Sequence, residues 1–314
     1  MKIGVLIMST PFNPGARNVN AFKETIVKDY IENKSEFKHE YGFYEYYCIK
    51  EVENSEYYYV CEDELMNTIV INEDESVYRT FEKTMAAFNA VSFENYDFII
   101  RLNISTFINL RLIDRFIDNF EKDIVYCNAI NAHLNGNDWK YCNELYPRGD
   151  MMIFSGELMS KIHREGLKYI YCDESLEHRI GVEHVDDCLI GACLMDVFGT
   201  CYYEHLKMLR YNFIPSAEIN ENEIDKRCIG YRIKTIPPTE RFSGYSWKDN
   251  DWRKCEPNKF NILIGVVRKE DYSCFKFDDL FTTKEESKRT NAIEIVGGVP
   301  VDIIKEMIEN KRFE

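Results

Sequence analysis

Apolar residues along the chain follow two alternating patterns. Residues 3–8 form a continuous apolar run, which is typical of a strand covered on both faces. Over residues 20–32, apolar side chains recur at every fourth position, which predicts a helix. By the same criteria we predict strands at 44–49, 57–61, 65–71, 96–101 and 123–127, and helices at 76–93 and 110–120.

Strands that alternate with amphipathic helices indicate an α/β fold. We expect a Rossmann-like, mixed but mostly parallel sheet flanked by helices. From about residue 206 the pattern loosens, so we predict an α/β domain at 1–235 and a C-terminal extension at 236–314 that packs on it. Within the extension, 260–267 is strand-like and 300–309 resembles a short closing helix.

Composition narrows the classes of function and location. Lys plus Arg number 39 and Asp plus Glu number 54, a net charge of −15, which argues against nucleic acid as the main partner. The longest apolar runs are shorter than the roughly 20 residues that span a bilayer. Neither a signal peptide nor a membrane anchor is recognisable, and the 11 cysteines form no CxxC pair. We therefore predict free thiols and a cytoplasmic protein without a transmembrane segment.

Asp186 and Asp187 are adjacent carboxylates just before a segment with helical spacing. Carboxylates in the first turn of a helix are favoured by the helix dipole, so the pair can be a structural cap without chemistry. A carboxylate fixed at a helix start can also act as a general base toward a hydroxyl group. The residues alone leave both interpretations open.

Two loops follow predicted strands and are rich in polar and turn residues. The loop at 9–17 contains prolines, a glycine and Arg17, and its backbone N–H groups suit a diphosphate. Residues 103–106 follow the strand that ends at Arg101 and can contact a ligand or cap the next helix. A third loop, 146–150, precedes an apolar strand and can be an ordinary turn.

These blocks, taken in order, resemble the β-1,3-galactosyltransferase and Fringe-like glycosyltransferases, which have the GT-A fold. The chain carries an S-x-P-x-N-x-x-x-R loop at 9–17, A-x-x-E-T at 21–25, a helix block ending in K-T at 76–84, T-F-x-N at the end of 101–109, a reduced Y-P block at 146–155, and D-D-x-x-x-G-x-C-L at 186–194. The resemblance covers residues 1 to about 200.

The resemblance implies an inverting transfer of a sugar from a nucleotide sugar, with UDP favoured, to a hydroxyl group of a glycan or glycoprotein acceptor. Asp187 would be the base and Asp186 would orient the acceptor. The implied donor-binding residues are Ser9, Thr10, Pro11, Asn13, Arg17, Lys23, Arg101, Asn103 and Ser105, and the implied acceptor or pocket residues are Tyr146, Arg148, Gly149 and Asp150.

The chain departs from this family at its metal site. The family's acidic triplet, which holds Mn²⁺ or Mg²⁺, is replaced by Asn103-Ile104-Ser105. An amide and a hydroxyl are poor ligands for a hard cation. The expected metal ligands are therefore weak ones: Asn103, Ser105 and His205. Either a cation binds weakly, or basic groups do its work, with Arg17, Lys23, Arg101 and Arg148 as candidates.

Two other classes of function compete with this hypothesis. The missing triplet suits a non-catalytic GT-A relative that binds a glycan or a protein. A nucleotidyltransferase would need paired metal-binding acids near the first crevice, and the sequence has none there. The nucleotidyltransferase hypothesis therefore ranks last.

Overall fold

The computed structural model describes residues 1–11, 15–51, 56–75, 80–128, 130–132, 145–147, 149–171, 186–214, 219–233 and 257–281. Thirteen strands are present among these residues. They are β1 (Lys2–Met8), β2 (Glu40–Cys48), β3 (Tyr58–Cys61), β4 (Asn67–Ile71), β5 (Phe98–Asn103), β6 (Thr106–Ile108), β7 (Val125–Cys127), β8 (Ile130–Ala132), β9 (Leu145–Pro147), β10 (Met151–Ser155), β11 (Leu206–Met208), β12 (Tyr211–Phe213) and β13 (Gly230–Arg232).

Seven α-helices lie among the same residues, and none of them is long and apolar enough to cross a bilayer. The first continues through a π-helical turn (Lys23–Val27) into the second. The helices are α1 (Gly15–Phe22), α2 (Lys28–Glu32), α3 (Thr80–Ala90), α4 (Leu110–Phe116), α5 (Gly156–Tyr171), α6 (Asp186–Phe198) and α7 (Pro257–Arg268).

The main sheet has eight strands in the order β11-β7-β10-β5-β1-β2-β4-β3. Strand β1 pairs in parallel with β2 and β5, and the β2–β4 and β7–β11 pairs are also parallel. Strand β10 is antiparallel to β5 and β7, and the edge strand β3 is antiparallel to β4. The predicted α/β class with a mixed, mostly parallel sheet is confirmed.

Helices cover both faces of the sheet because alternate side chains of its central strands are apolar on each side. Ile3, Val5 and Ile7 pack on one face against α1, the π-helical turn, α4 and α7. Leu6 packs on the other face against α3, α5 and α6. This double coverage explains the continuous apolar run that predicted a buried strand.

The prediction of a strand at 260–267 is wrong, because these residues belong to α7. The segment is almost wholly apolar, so its sequence is compatible with a buried strand as well as with a helix. Phe260, Leu263, Ile264 and Val267 recur at the i, i+3, i+4, i+7 spacing of a helix, and all four are buried in the first core.

The segment 257–281 contacts the α/β domain at several points. The Phe260 ring packs against the rings of Phe22 and Phe107. Arg268 Nε donates to Asp29 Oδ1 over 2.7 Å. The rest of the extension, including the helix predicted at 300–309, lies outside the described residues.

Seven cysteines have side chains within the described part of the structure, and all seven are free thiols, as expected. Cys193 of α6 is buried, and burial raises the pKa of its thiol well above the usual range. This thiol therefore stays protonated and is a poor nucleophile.

His163 makes the stability of the fold dependent on pH. Its ring lies in α5 against Phe93, and burial lowers its pKa below the usual 6.5, against opposing effects of Glu94 and the Met85 carbonyl. The unfolded chain therefore binds the proton more readily than the folded chain. We expect the free energy of unfolding to fall as the pH drops through 6.5, by at most about 1.4 kcal/mol per pH unit for one proton.

Urea unfolding of wild type and His163→Phe between pH 8 and pH 5 measures this dependence. The variant is expected to lack the part of the slope that comes from His163. An identical slope in both proteins would contradict the assignment.

Candidate functional site

The order of the strands reverses at β1. From β1 the sheet continues to β2 and β4 on one side and to β5 on the other. Met8, the last residue of β1, is level with Tyr46 of β2 and with Asn103 of β5. The segments that follow β1 and β5 therefore meet at the carboxyl edge of the sheet, where α/β folds bind ligands. We call residues 9–11 and 103–105 the switch-point edge.

Ser9 begins the first half of this edge, and both of its backbone groups are bound. Its N–H donates to the Tyr46 carbonyl over 2.9 Å, and its carbonyl accepts from Lys83 Nζ over 2.7 Å. Ser9 is buried, whereas Thr10 and Pro11 are half-buried. The backbone at the start of this loop is thus fixed, and the next two residues face outward enough to contact a ligand.

Lys83 connects this loop to two further strand ends. Its Nζ lies 2.7 Å from Glu75 Oε1 and 3.0 Å from Glu75 Oε2. Glu75 follows β4, and its Oε2 also accepts from the N–H of Cys48, the last residue of β2, over 2.8 Å. One ion pair therefore joins the carboxyl ends of β1, β2 and β4.

The second half of the edge is a tight turn between β5 and β6. Asn103 Oδ1 accepts from the Ser105 N–H over 3.1 Å and from Ser105 Oγ over 3.0 Å. The Asn103 amide oxygen, one of the two expected metal ligands, thus accepts a hydrogen bond from the hydroxyl group of the other, Ser105. No three His, Cys, Asp or Glu residues in the described part of the chain are grouped to hold a metal ion. These residues do not fit a resident Mn²⁺ or Mg²⁺.

Asp150 lies directly behind this turn. Its carbonyl accepts from the Asn103 N–H over 2.9 Å and from Thr106 Oγ1 over 3.1 Å. Its carboxylate pairs with Arg232 and accepts from Asn128 Nδ2 over 3.2 Å. The Asp150 side chain is only 5% exposed. It therefore anchors β5, β6, β7 and β13 to one another rather than presenting a free oxygen to an acceptor.

Arg101 is also part of the support of the edge. Its side chain is fully buried, donates from Nη1 to the Gly149 carbonyl, and places Nη2 3.2 Å from Met8 Sδ. The guanidinium group therefore lies beneath the switch-point edge, with no surface open to a donor. Arg101 can therefore contribute to a donor site through its positive charge and through its hydrogen bond to the Gly149 carbonyl.

Of the other predicted site residues, some are described by the structure and others lie outside the described part. Lys23 Nζ lies 3.3 Å from Glu45 Oε1 on the face covered by α1 and α7. Tyr146 is half-buried in β9, which pairs with β8. Asn13 and Arg148 lie outside the described residues, as does the side chain of Arg17.

The acidic pair lies at the start of a helix, as the sequence indicated. Helix α6 begins at Asp186, so Asp186 and Asp187 are in its first turn. The side chains of both residues lie outside the described part of the structure. Leu189 and Ile190 of the same helix pack in the core that also contains Leu6 of β1.

His205 lies at the amino end of its strand, whereas Asn103 lies at the carboxyl end of β5, so the two residues are at opposite ends of the strands. It directly precedes β11, which is parallel to β7, and its Nδ1 is 2.8 Å from the carbonyl of Asp123, which precedes β7. Strands β5 and β7 both run antiparallel to β10 and therefore point the same way. The structure thus does not bring His205 together with Asn103 and Ser105.

A cavity of about 270 Å³ opens next to the Lys83–Glu75 pair, at the carboxyl ends of β2 and β4. Helix α3 and the last turn of α5 form its other walls. Its lining consists of Cys48, Tyr57, Ile71, Glu73, Asp74, Glu82, Lys83 and Ile170. The cavity places a partly apolar, partly acidic space beside the switch-point edge.

This chain is similar to glycosyltransferases of known structure. The galactosyltransferase LgtC, crystallised with donor and acceptor sugar analogues, is 12% identical with a TM-score of 0.42, over 91% of this chain and 99% of that one. GlyE of Streptococcus pneumoniae TIGR4 is 10% identical with a TM-score of 0.38, over 90% and 66%. Mouse xyloside xylosyltransferase 1 is 13% identical with a TM-score of 0.34, over 68% and 88%.

No protein family model matches the sequence, and no curated protein matches it.

Sequence reasoning missed four residues that build the edge: Glu75, Lys83, Asn128 and Arg232. Lys83 had a signal, since it occupies the lysine of the K-T block at 76–84. Arg232 had none, because it reaches Asp150 from β13, far along the chain.

Proposed function

We propose that this protein is a glycosyltransferase of the GT-A type that transfers a sugar from a nucleotide sugar to a hydroxyl group of a glycan or glycoprotein. One observation carries the proposal. The two blocks that the resemblance assigns to the donor, residues 9–11 and 103–105, lie together at the switch point of the sheet. The family resemblance favours UDP as the nucleotide.

In this mechanism the acceptor hydroxyl oxygen attacks the anomeric carbon of the donor sugar from the side opposite the diphosphate. The new bond is the glycosidic C–O bond, and the bond from the anomeric carbon to the phosphate oxygen breaks. Asp187 takes the hydroxyl proton as general base, and Asp186 orients the acceptor. Attack from the opposite side inverts the anomeric configuration.

The leaving diphosphate carries negative charge that the edge has to balance. Because the Asn103–Ser105 turn does not fit a divalent cation, no step is assigned to a metal here. Arg101 supplies a fixed positive charge beneath the edge, and a buried charge acts more strongly than one in water. The Ser9 N–H is bound to the Tyr46 carbonyl and Pro11 has no N–H, so the 9–11 loop offers at most the N–H of Thr10 to the diphosphate.

The same turn favours a second candidate function. A GT-A relative that had lost catalysis would retain the fold and lose the metal-binding acids, as Asn103 and Ser105 have. Such a protein would bind a glycan or a protein partner and would not release nucleotide from any donor.

A panel of UDP-, GDP- and dTDP-sugars, each with Mn²⁺ and with EDTA, tests the proposal. We expect one donor class to bind and to release its nucleotide slowly by hydrolysis, and the EDTA arm to retain that activity. Nucleotide release that requires Mn²⁺ would support the transferase. It would contradict the conclusion that the Asn103–Ser105 turn does not fit a divalent cation. Absence of binding and release in every arm would overturn the transferase and favour the non-catalytic binding protein.

A further inference from the structure

We propose that Lys83 is a positioning residue of the donor site, which together with Glu75 holds the 9–11 loop in its ligand-receiving position. The proposal rests on the proposed function for its kinetic consequence. Its structural part, the fixing of the loop, stands on the contacts of Lys83 alone.

The first step is that the Lys83 ammonium group has acceptors on two residues of the protein. Its Nζ lies 2.7 Å from the Ser9 carbonyl oxygen and 2.7 and 3.0 Å from the two oxygens of the Glu75 carboxylate. The Lys83 side chain is 3% exposed. Because this ammonium group is buried and already paired with a carboxylate, its role is to place other groups rather than to bind the phosphates of the donor.

The second step is where these contacts lie. Ser9 is the first residue after β1, and its carbonyl is the point at which the chain leaves the sheet toward Thr10 and Pro11. Glu75 in turn binds the Cys48 N–H at the end of β2. The ion pair therefore fixes the start of the donor loop relative to both neighbouring strand ends.

The third step separates this role from the packing of α3. The helix is held to the sheet by Phe81, Met85 and Phe88, which are buried in the second core. Lys83 adds its contacts at the carboxyl edge, beside the cavity. Removing the ammonium group should therefore displace the loop while the helix stays packed.

The chain offers a matched control. Lys259 of α7 is also buried, at 1% exposure, and its Nζ also donates to a backbone carbonyl, that of Ile214, over 3.3 Å. It lies in the segment that covers the other face of the sheet. Lys259→Met therefore removes an equally buried ammonium group away from the donor edge.

The experiment compares Lys83→Met, Lys83→Arg, Glu75→Gln and Lys259→Met with wild type. Three quantities are measured: the hydrogen–deuterium exchange of the Ser9 and Thr10 amides, the urea midpoint, and donor KM and kcat with the donor that the wild type uses. For Lys83→Met we expect faster exchange at Ser9 and a rise in donor KM of about tenfold to a hundredfold, the range for a slightly misplaced site.

Lys83→Arg should restore most of the exchange protection and of the donor KM, because a guanidinium group can reach the same acceptors. Glu75→Gln should fall between wild type and Lys83→Met. Lys259→Met should lower the urea midpoint to a similar degree and change donor KM by less than about twofold, because the carbonyl that it binds, that of Ile214, belongs to the core on the face of the sheet that α7 covers.

Wild-type exchange at Ser9 in Lys83→Met and Glu75→Gln would overturn the proposal, as would equal changes of KM in Lys83→Met and Lys259→Met. If Lys83→Met does not fold, Glu75→Gln and Lys83→Arg decide by the same measurements. A wild-type protein that turns over no donor would refute the proposed function alone, because the exchange measurement tests the loop contact without any substrate.

Discussion

Asp150→Ala is expected to lower the free energy of unfolding by about 3–5 kcal/mol, the usual cost of removing one partner of a buried ion pair. The substitution leaves the Arg232 guanidinium buried without its carboxylate, and it removes the acceptor of Asn128. The backbone bonds of Asp150 to Asn103 and Thr106 remain, so the loss measures the side chain. Urea unfolding followed by circular dichroism gives the value.

Two further variants test whether the cost comes from the unpaired charge. The double variant Asp150→Leu with Arg232→Met removes both charges and should recover a large part of the loss. Glu157→Ala breaks the exposed pair with Lys161 on α5 and should cost less than about 1 kcal/mol. A loss of the same size for Asp150→Ala and Glu157→Ala would show that the buried pair is not an anchor of the edge.

Much of the fold could be predicted because its signals are local. The run at 3–8 and the helical stripe containing Phe81, Met85 and Phe88 each carry their period within a few residues. Strands joined by α-helical connections run parallel, which places their carboxyl ends at one edge of the sheet. Residues 260–267 show where local signals fail. A short, almost wholly apolar segment fits the period of a strand as well as that of a helix.

The candidate site was predictable only where a loop directly follows a strand. Ser9 lies at the switch point because it directly follows β1, and Asn103 lies there because it is the last residue of β5. The order of the elements along the chain is enough to predict both positions. The partners that hold these loops come from elsewhere in the chain. Arg232 and Asn128 meet Asp150 only in the folded protein, so no local pattern marks them.

The structure adds the surroundings of two predicted site residues. Arg101 and Asp150 are both buried: Arg101 contacts Gly149 and Met8, and Asp150 pairs with Arg232. The sequence shows that a residue is charged and follows a strand; it does not show on which side of the sheet the charge is enclosed. Alternation along β5 places Arg101 on the same face as Ile99, under α3 and α6.

Asp187→Asn is expected to reduce sugar transfer to an acceptor by about 10²- to 10⁴-fold, the usual contribution of a general base. The amide is nearly isosteric with the carboxylate but takes up no proton at neutral pH. Because the role proposed for Asp187 concerns the acceptor, the Kd of the donor should stay within about twofold of wild type. Transfer is measured with the donor identified in the panel, and donor binding by calorimetry.

The position of Asp187 in the first turn of α6 requires a control for the helix dipole. Glu157 is an exposed carboxylate in the first turn of α5, and Glu157→Gln removes the same interaction with that helix. Both variants should lose a similar, small amount of stability, of about 0.3–1 kcal/mol, whereas only Asp187→Asn should lose transfer. If Asp187→Asn keeps wild-type turnover, the carboxylate is a helix cap, and the base has to be sought on another element at the switch-point edge.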